Sequence, residues 1–322
     1  MKDMKKGILG VLMAGILMFI LAACGSDDNA ADDTKKDDDN GDEPLHVVTS
    51  FTIISDMAEQ IGGDIVEVHN LVPTGTDPHE YEPLPDDIKK ATDADVLFYN
   101  GLNLEGGKNG WFFKMVDSVG QDEDRVFSLT EQVEPMYIGG EEGTDEEINP
   151  HSFIDPDVGI MMAEDMRDAL IEVDPDNEDH YKESAGEYIN RLEEIVDEYE
   201  EKINEIPEEK RILVTSERAF QYMADRFGLE EGYIWEIDTE ENGSPEQIKT
   251  LVNYLTDHDV PMLFVESNVD ERPMETVSNE SGIPIFEKPI YSDEIGEKGS
   301  EVDTYVKYLN YNIDVISEGL NQ

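Results

Sequence analysis

The sequence predicts an α/β protein of two similar lobes, each a mainly parallel β-sheet flanked by helices, joined by one long α-helix. Three observations lead there. Short apolar runs alternate with amphipathic stretches along most of the chain, the pattern of parallel sheets covered on both faces. Landmarks of the first half return in the second at a common offset: Val48-Thr49-Ser50, Met57-Ala58, Gly62 and Leu97-Phe98 reappear as Val214-Thr215-Ser216, Met223-Ala224, Gly228 and Leu263-Phe264. One spacing kept across about fifty positions marks two related units. Between them, Tyr181, Ala185, Tyr188, Ile189, Leu192, Ile195, Val196, Tyr199, Ile203 and Ile206 recur at steps of three and four, the stripe of an amphipathic helix.

In the first half the apolar run Leu45–Thr49 reads as a strand and Thr52–Ile61 as the helix after it. Ile65–Leu71 alternates as a strand, Pro85–Thr92 is a helix, Val96–Tyr99 and Arg125–Phe127 are short strands, and Pro156–Val173 is a helix. The second half reads as strand Arg211–Thr215, helix Arg218–Phe227, strand Tyr233–Glu236, helix Pro245–Asp257 and strand Met262–Val265. Helix Pro273–Glu280, strand Ile285–Phe286 and helix Val302–Leu320 complete it. Asp174-Pro175 or Asp176 starts the long helix and Pro207 stops it, as helix-boundary chemistry requires. About 28 residues at 1.5 Å each make a rod of about 42 Å. The stripe could also serve a coiled-coil dimer, but the e and g charges of a zipper are not clean. Packing against both lobes, in a monomer, is the expectation. The implied boundaries are 44–174 for the first lobe, 175–206 for the helix and 207–322 for the second lobe.

Residues 1–23 read as an export signal: Lys2, Lys5 and Lys6, then an apolar stretch from Gly7 to Phe19, closed by Leu21-Ala22-Ala23-Cys24. The closing tetrad resembles a bacterial lipobox, implying cleavage before Cys24, lipid attachment there, and a protein anchored outside the cytoplasm. Cys24 is the single cysteine, so no intramolecular disulfide is available. Residues 24–43 are a tether: Gly25 to Glu43 holds nine acidic residues and two lysines and too little apolar surface to fold. Its reach is about 25 Å as a random coil. The formal charge of −55 excludes nucleic acid and anionic lipid as natural partners. Such a surface suits high salt better than it suits bulk cation binding.

Two motifs carry the chemistry: Asp77-Pro78-His79-Glu80-Tyr81-Glu82-Pro83 and Asn149-Pro150-His151-Ser152-Phe153-Ile154-Asp155-Pro156. Each puts a histidine directly after a proline and ends on a proline, so each imidazole sits on a stiff loop. With only six histidines in the chain, two framed alike suggest ligands converging on one metal ion. His69 alternates with Val66 and Val68 and reads as structural, while His46, His180 and His258 lack any such frame. Ligands of parallel α/β sheets gather at the carboxyl ends of strands, which makes Glu217, directly after Thr215-Ser216, the second lobe's candidate. The bland alternative is an acid favoured by a helix N-terminus. Composition alone cannot pick Asp293 from 78 acids.

From Leu45 to Asn321 the chain resembles the metal-receptor lipoproteins of bacterial ABC importers for manganese and zinc, sometimes called lipoprotein receptor antigen I adhesins. The likeness rests on Val72-Pro73 with the first histidine motif, Phe98-Tyr99-Asn100-Gly101-Leu102-Asn103-Leu104-Glu105, Val214-Thr215-Ser216-Glu217, Ile234-Trp235-Glu236-Ile237, and Val265-Glu266-Ser267 through Arg272-Pro273-Met274. It implies two lobes with a metal site in the cleft between them, and the ligands His79, His151, Glu217 and Asp293. The second motif departs from the family's usual Asp-Pro-His with a following aromatic such as Trp; here stand Asn149 and Phe153, neither at a family ligand position.

Two imidazoles and two carboxylates favour Mn²⁺, with Zn²⁺ possible as the transported ligand. In the resembled family, zinc receptors tend to have a third histidine in place of Glu217 and a His-rich loop, whereas Gly139–Glu146 has no histidine. The implied function is capture of the metal and delivery to membrane permease subunits, without catalysis. A secreted metallohydrolase would need an open coordination position and a general base, and no His-Glu-x-x-His is present. A surface adhesin fits the tether and anchor but has no residue signature.

Overall fold

A computed structural model describes residues 43–138, 147–237 and 243–322. The lipobox, the tether up to Asp42 and the loop Gly139–Glu146 lie outside the described residues. Glu43–Gln322 is one compact unit.

The first lobe is built on β1 (Leu45–Phe51), β2 (Val66–Val72), β3 (Val96–Tyr99) and β4 (Val126–Ser128), all parallel in the order β2-β1-β3-β4. Helices α1 (Thr52–Gly62), α2 (Pro85–Asp93) and α3 (Trp111–Val119) connect the strands, and α4 (Pro156–Val173) follows a short antiparallel ribbon, β5 (Tyr137–Ile138) with β6 (Glu147–Ile148). The sequence reading missed α3. Its apolar Trp111-Phe112-Phe113 start hides the period, but Gly120, left-handed at φ 67°, closes it as a C-terminal glycine should.

The long helix α5 spans Glu178–Glu205, 28 residues, after a single 3₁₀ turn at Pro175–Asn177. It buries Tyr181, Ala185, Tyr188, Leu192, Ile195, Tyr199 and Ile203 against α1 and α4 on one side. In the second lobe it meets α6 (Gln221–Phe227) and α9 (Tyr305–Leu320). The apolar stripe is therefore consumed within the chain. The Tyr199 hydroxyl donates to Leu309 O at 2.9 Å, and Lys202 pairs with Asp314.

The second lobe repeats the first. Strand β7 (Ile212–Glu217) pairs in parallel with β8 (Glu230–Trp235); α7 (Pro245–Thr256) and α8 (Arg272–Ser281) cover them. The predicted strands at Met262–Val265 and Ile285–Phe286 occupy the places of β3 and β4: Phe264 N donates to Val214 O at 2.9 Å, and Leu263 bridges Ile285 in parallel. They form isolated bridges rather than ladders. The first helix of this lobe begins at Gln221, not Arg218, because Arg218 N remains tied to Trp235 O at 3.0 Å.

One core runs from the first lobe through α5 into Leu213, Phe220, Met223, Tyr305, Tyr308 and Ile313 of the second. A smaller one, around Val214, Trp235, Leu251 and Met274, belongs to the second lobe alone. Hydrogen bonds also cross between lobes. Tyr305 N donates to Asp56 Oδ2 at 2.8 Å, the Tyr305 hydroxyl to Phe153 O at 2.5 Å, and Ile295 N to Thr52 Oγ1 at 3.1 Å. Gly159 permits this approach, since a Cβ there would lie 2.6 Å from the Tyr305 hydroxyl.

Candidate metal centre

His79 hangs from the loop after β2. Asp77 Oδ1 accepts its backbone N–H at 2.7 Å, and the Trp111 indole donates to Pro78 O at 2.8 Å. Asp87 steadies the far side of the loop, accepting from the Tyr81 hydroxyl and Leu84 N, both at 2.7 Å. His69 spends its ring on the same carboxylate at 2.8 Å, the structural role its alternation suggested.

His151 opens a 3₁₀ turn, His151–Ile154, directly before α4, and is fully buried. Asn100 fixes the preceding backbone by donating from Nδ2 to Pro150 O at 3.0 Å. Asn100 is itself held by Glu105, whose carboxylate accepts from Asn100 N at 2.7 Å and Gly101 N at 3.2 Å. Gly101 is needed: φ is 90°, and a Cβ would meet Ser128 Oγ at 2.4 Å. Burial pushes the Glu105 carboxyl up to about 6.

From the second lobe comes Glu217, the last residue of β7, 1% exposed. Its backbone N–H donates to Glu266 Oε1 at 2.8 Å, and Ser216 N to Glu266 Oε2 at 3.1 Å. Burial pushes Glu266 up to about 7. Asp293 lies in the loop after Ile290. Its Oδ2 accepts from Asn268 Nδ2 at 3.0 Å and from the Ser292 hydroxyl at 2.8 Å, which leaves Oδ1 turned to the imidazoles.

All four residues meet. Single donor atoms of His79, His151 and Glu217 lie within 4.8 Å of one another. Asp293 Oδ1 is 3.0 Å from His151 Nε2 and 3.9 Å from His79 Nε2; Glu217 Oε1 is 3.9 Å from His151 Nε2. His79 Nε2, His151 Nε2 and Asp293 Oδ1 are buried without a hydrogen-bond partner. Buried lone pairs left so cost stability, and a cation among them would satisfy all three. Tetrahedral ligands at about 2.1 Å from an ion sit about 3.4 Å apart, close to these spacings. Two carboxylates and two neutral imidazoles carry −2, the charge that a divalent cation cancels in a dry site.

Burial, and then the neighbouring His151, holds His79 below the ordinary imidazole value, which keeps it available as a donor. Burial opposes the ionisation of Asp293, but His151 and His79 together hold its carboxyl well below the usual range. The remaining histidines are occupied elsewhere: His46 lies 3.5 Å from Asp95, His180 contacts Gly62 O at 2.9 Å, and His258 contacts Tyr254 O at 2.7 Å. The sequence reading gave no role to Asn268, Glu266, Glu105 or Trp111. Asn268, Glu266 and Trp111 work through contacts distant in sequence that no spacing announces, whereas Glu105 acts locally, on Asn100 N and Gly101 N.

Residues 47–319 match the family model described as "ZnuA: Zinc-uptake complex component A periplasmic". The manganese ABC transporter substrate-binding lipoprotein PsaA of Streptococcus mitis is 44% identical over 317 residues, 98% of this chain and 99% of that protein. The metal ABC transporter substrate-binding lipoprotein SsaB of Streptococcus sanguinis is also 44% identical, over the same shares. Among solved structures, a Mn-bound periplasmic metal binding protein from candidatus Liberibacter asiaticus superimposes with a TM-score of 0.75 at 26% identity. That match covers 86% of this chain and all of that one.

Proposed function

The chain belongs to the family of periplasmic zinc-uptake component A proteins, and on that premise we propose that it is the receptor of an ABC importer that captures a divalent transition metal and hands it to a membrane permease. Mn²⁺ is the cargo assigned. The relatives alike over nearly their whole length include one named for manganese, and carboxylate oxygen supplies half of the donor set. The reading is of a receptor and not an enzyme.

His79 and His151 act as the nitrogen donors from one lobe, and Glu217 and Asp293 as the oxygen donors from the other. The observation that carries this is the convergence of buried, unpartnered Nε2 atoms and Asp293 Oδ1 on one point. Lobes 44–174 and 207–322 hinge on the 175–206 helix, which limits how far they part. Residues 1–23 are removed, Cys24 is lipidated, and residues 24–43 tether a monomer to the outer face of the membrane. No helix among the described residues is long and apolar enough to cross a membrane. Zinc is the second reading, favoured by the two imidazoles and by intrinsic affinity, which is higher for Zn²⁺ than for Mn²⁺. Selection for Mn²⁺ in transport then rests on geometry and release.

The test is titration of metal-stripped protein. One Mn²⁺ binds per chain, and His79→Ala or Glu217→Ala abolishes it; full one-site binding by both variants would refute the assignment. Uptake of radiolabelled Mn²⁺ by a receptor-deficient strain carrying this chain separates import from adhesion.

A further inference from the structure

We propose that Asn149 is a positioning residue that keeps a proton of His151 on Nδ1, so that in the neutral ring it is Nε2 that presents a lone pair to the site. The inference rests on the ligand role given to His151 above and adds what fixes that ring. Asn149 Oδ1 lies 2.8 Å from His151 Nδ1 and also accepts His151 N at 3.1 Å. Asn149 Nδ2 donates to Arg218 O at 2.8 Å and to Gln221 Oε1 at 3.0 Å. The amide is fully buried, and both its ends are used.

Which end of an amide is oxygen follows from its partners, and here two backbone carbonyls decide. Gln221 Nε2 donates to Tyr137 O at 3.2 Å, so Gln221 Oε1 must face Asn149 as an acceptor. Arg218 O accepts as well. Between those two acceptors Asn149 can place only its NH₂, and its oxygen then faces the ring. An amide oxygen cannot donate, so Nδ1 carries the hydrogen. This holds whatever the state of Nε2. Both acceptors of the amide nitrogen stand within five residues of Glu217, at Arg218 and Gln221, so the lobe that supplies a carboxylate also sets the tautomer of the opposing imidazole. An aspartate at 149 could accept from His151 but would offer nothing to Arg218 O or Gln221 Oε1. The asparagine joins the two lobes where an acid could serve only one.

Long-range ¹H–¹⁵N correlation spectra of the imidazoles, recorded on the metal-free full chain, test this without calling on metal binding. His151 shows the Nδ1–H pattern in the unaltered chain. Asn149→Ala loses that preference and weakens Mn²⁺ binding by about 10- to 100-fold, the usual cost of losing a partner behind a metal-ligating histidine. Asn149→Asp restores the Nδ1–H pattern. A neutral His151 protonated on Nε2 in the unaltered chain overturns the proposal, and that spectrum decides even if Asn149→Ala fails to fold. An unchanged pattern in Asn149→Ala also overturns it. A chain that shows the Nδ1–H pattern but binds no metal leaves this inference standing and removes the receptor reading instead.

Discussion

Replacing Asp293 by asparagine should stabilise the metal-free protein while spoiling the site. The Oδ2 position accepts from Asn268 and Ser292, so the new amide keeps its oxygen there and places NH₂ at the Oδ1 position, 3.0 Å from His151 Nε2. A donor then meets a lone pair that had no partner. Relieving an unsatisfied buried group is worth about 1–3 kcal/mol. For about 280 folded residues the unfolding entropy is roughly 0.6 kcal/mol/K, so the melting point should rise by about 2–5 °C. Metal binding suffers the opposite fate, because one positive charge in the buried site loses its counter-charge, at about 3–5 kcal/mol or two to nearly four decades in Kd. At a Mn²⁺ concentration 100 times the native Kd, the native protein gains about 2.7 kcal/mol, again about 4–5 °C, and the variant gains less than about 1 °C. Differential scanning calorimetry with and without Mn²⁺ at about pH 8, above the ordinary imidazole range, measures both. A metal-free variant less stable than the native chain, or one that keeps the full Mn²⁺ shift, would refute the claim that these donors are aimed at a cation.

Glu217→His replaces an oxygen donor with nitrogen and should raise the Zn²⁺/Mn²⁺ affinity ratio; competition titration showing an unchanged ratio counts against the donor argument. The pH dependence of stability should be inverted relative to most proteins. Burial holds Asp56 and Glu105 at about 6 and Asp155 and Glu266 at about 7. Their contribution is therefore fully present below the unfolded carboxyl values near 4 and is lost as pH rises through 6–7. His79, lowered by burial, acts the other way, as one group against four. Thermal melts of metal-free protein should be higher at about pH 5.5 than at about pH 8, and a lower melting point at the acid end contradicts this balance.

The architecture was legible wherever local chemistry and burial agree. The stripe from Tyr181 to Ile203 predicted α5 because its period matches the helix and its apolar face is long. Val96–Tyr99 and Pro156–Val173 agree with the structure at both ends. Strands at Met262–Val265 and Ile285–Phe286 were overcalled, since a short apolar run reports burial and not how many ladder bonds it makes. The site was half legible. Proline frames flag His79 and His151 because they are local signals. Asp293 is invisible locally, for its role arises from Asn268 and the imidazoles, all distant in sequence; only the resemblance supplied it. The departure at Asn149 could be seen, but its consequence could not, since that depends on Arg218 and Gln221 across the lobe boundary.

The account turns on a single cation gripped by nitrogen from one lobe and oxygen from the other. X-ray absorption at the manganese edge, on protein loaded with one equivalent of Mn²⁺, reads that donor set directly. The prediction is two imidazole nitrogens together with carboxylate oxygens, a signature that disappears in His79→Ala. A shell of oxygens alone, or a spectrum indifferent to that substitution, would place the ion elsewhere on this acidic surface and contradict the account.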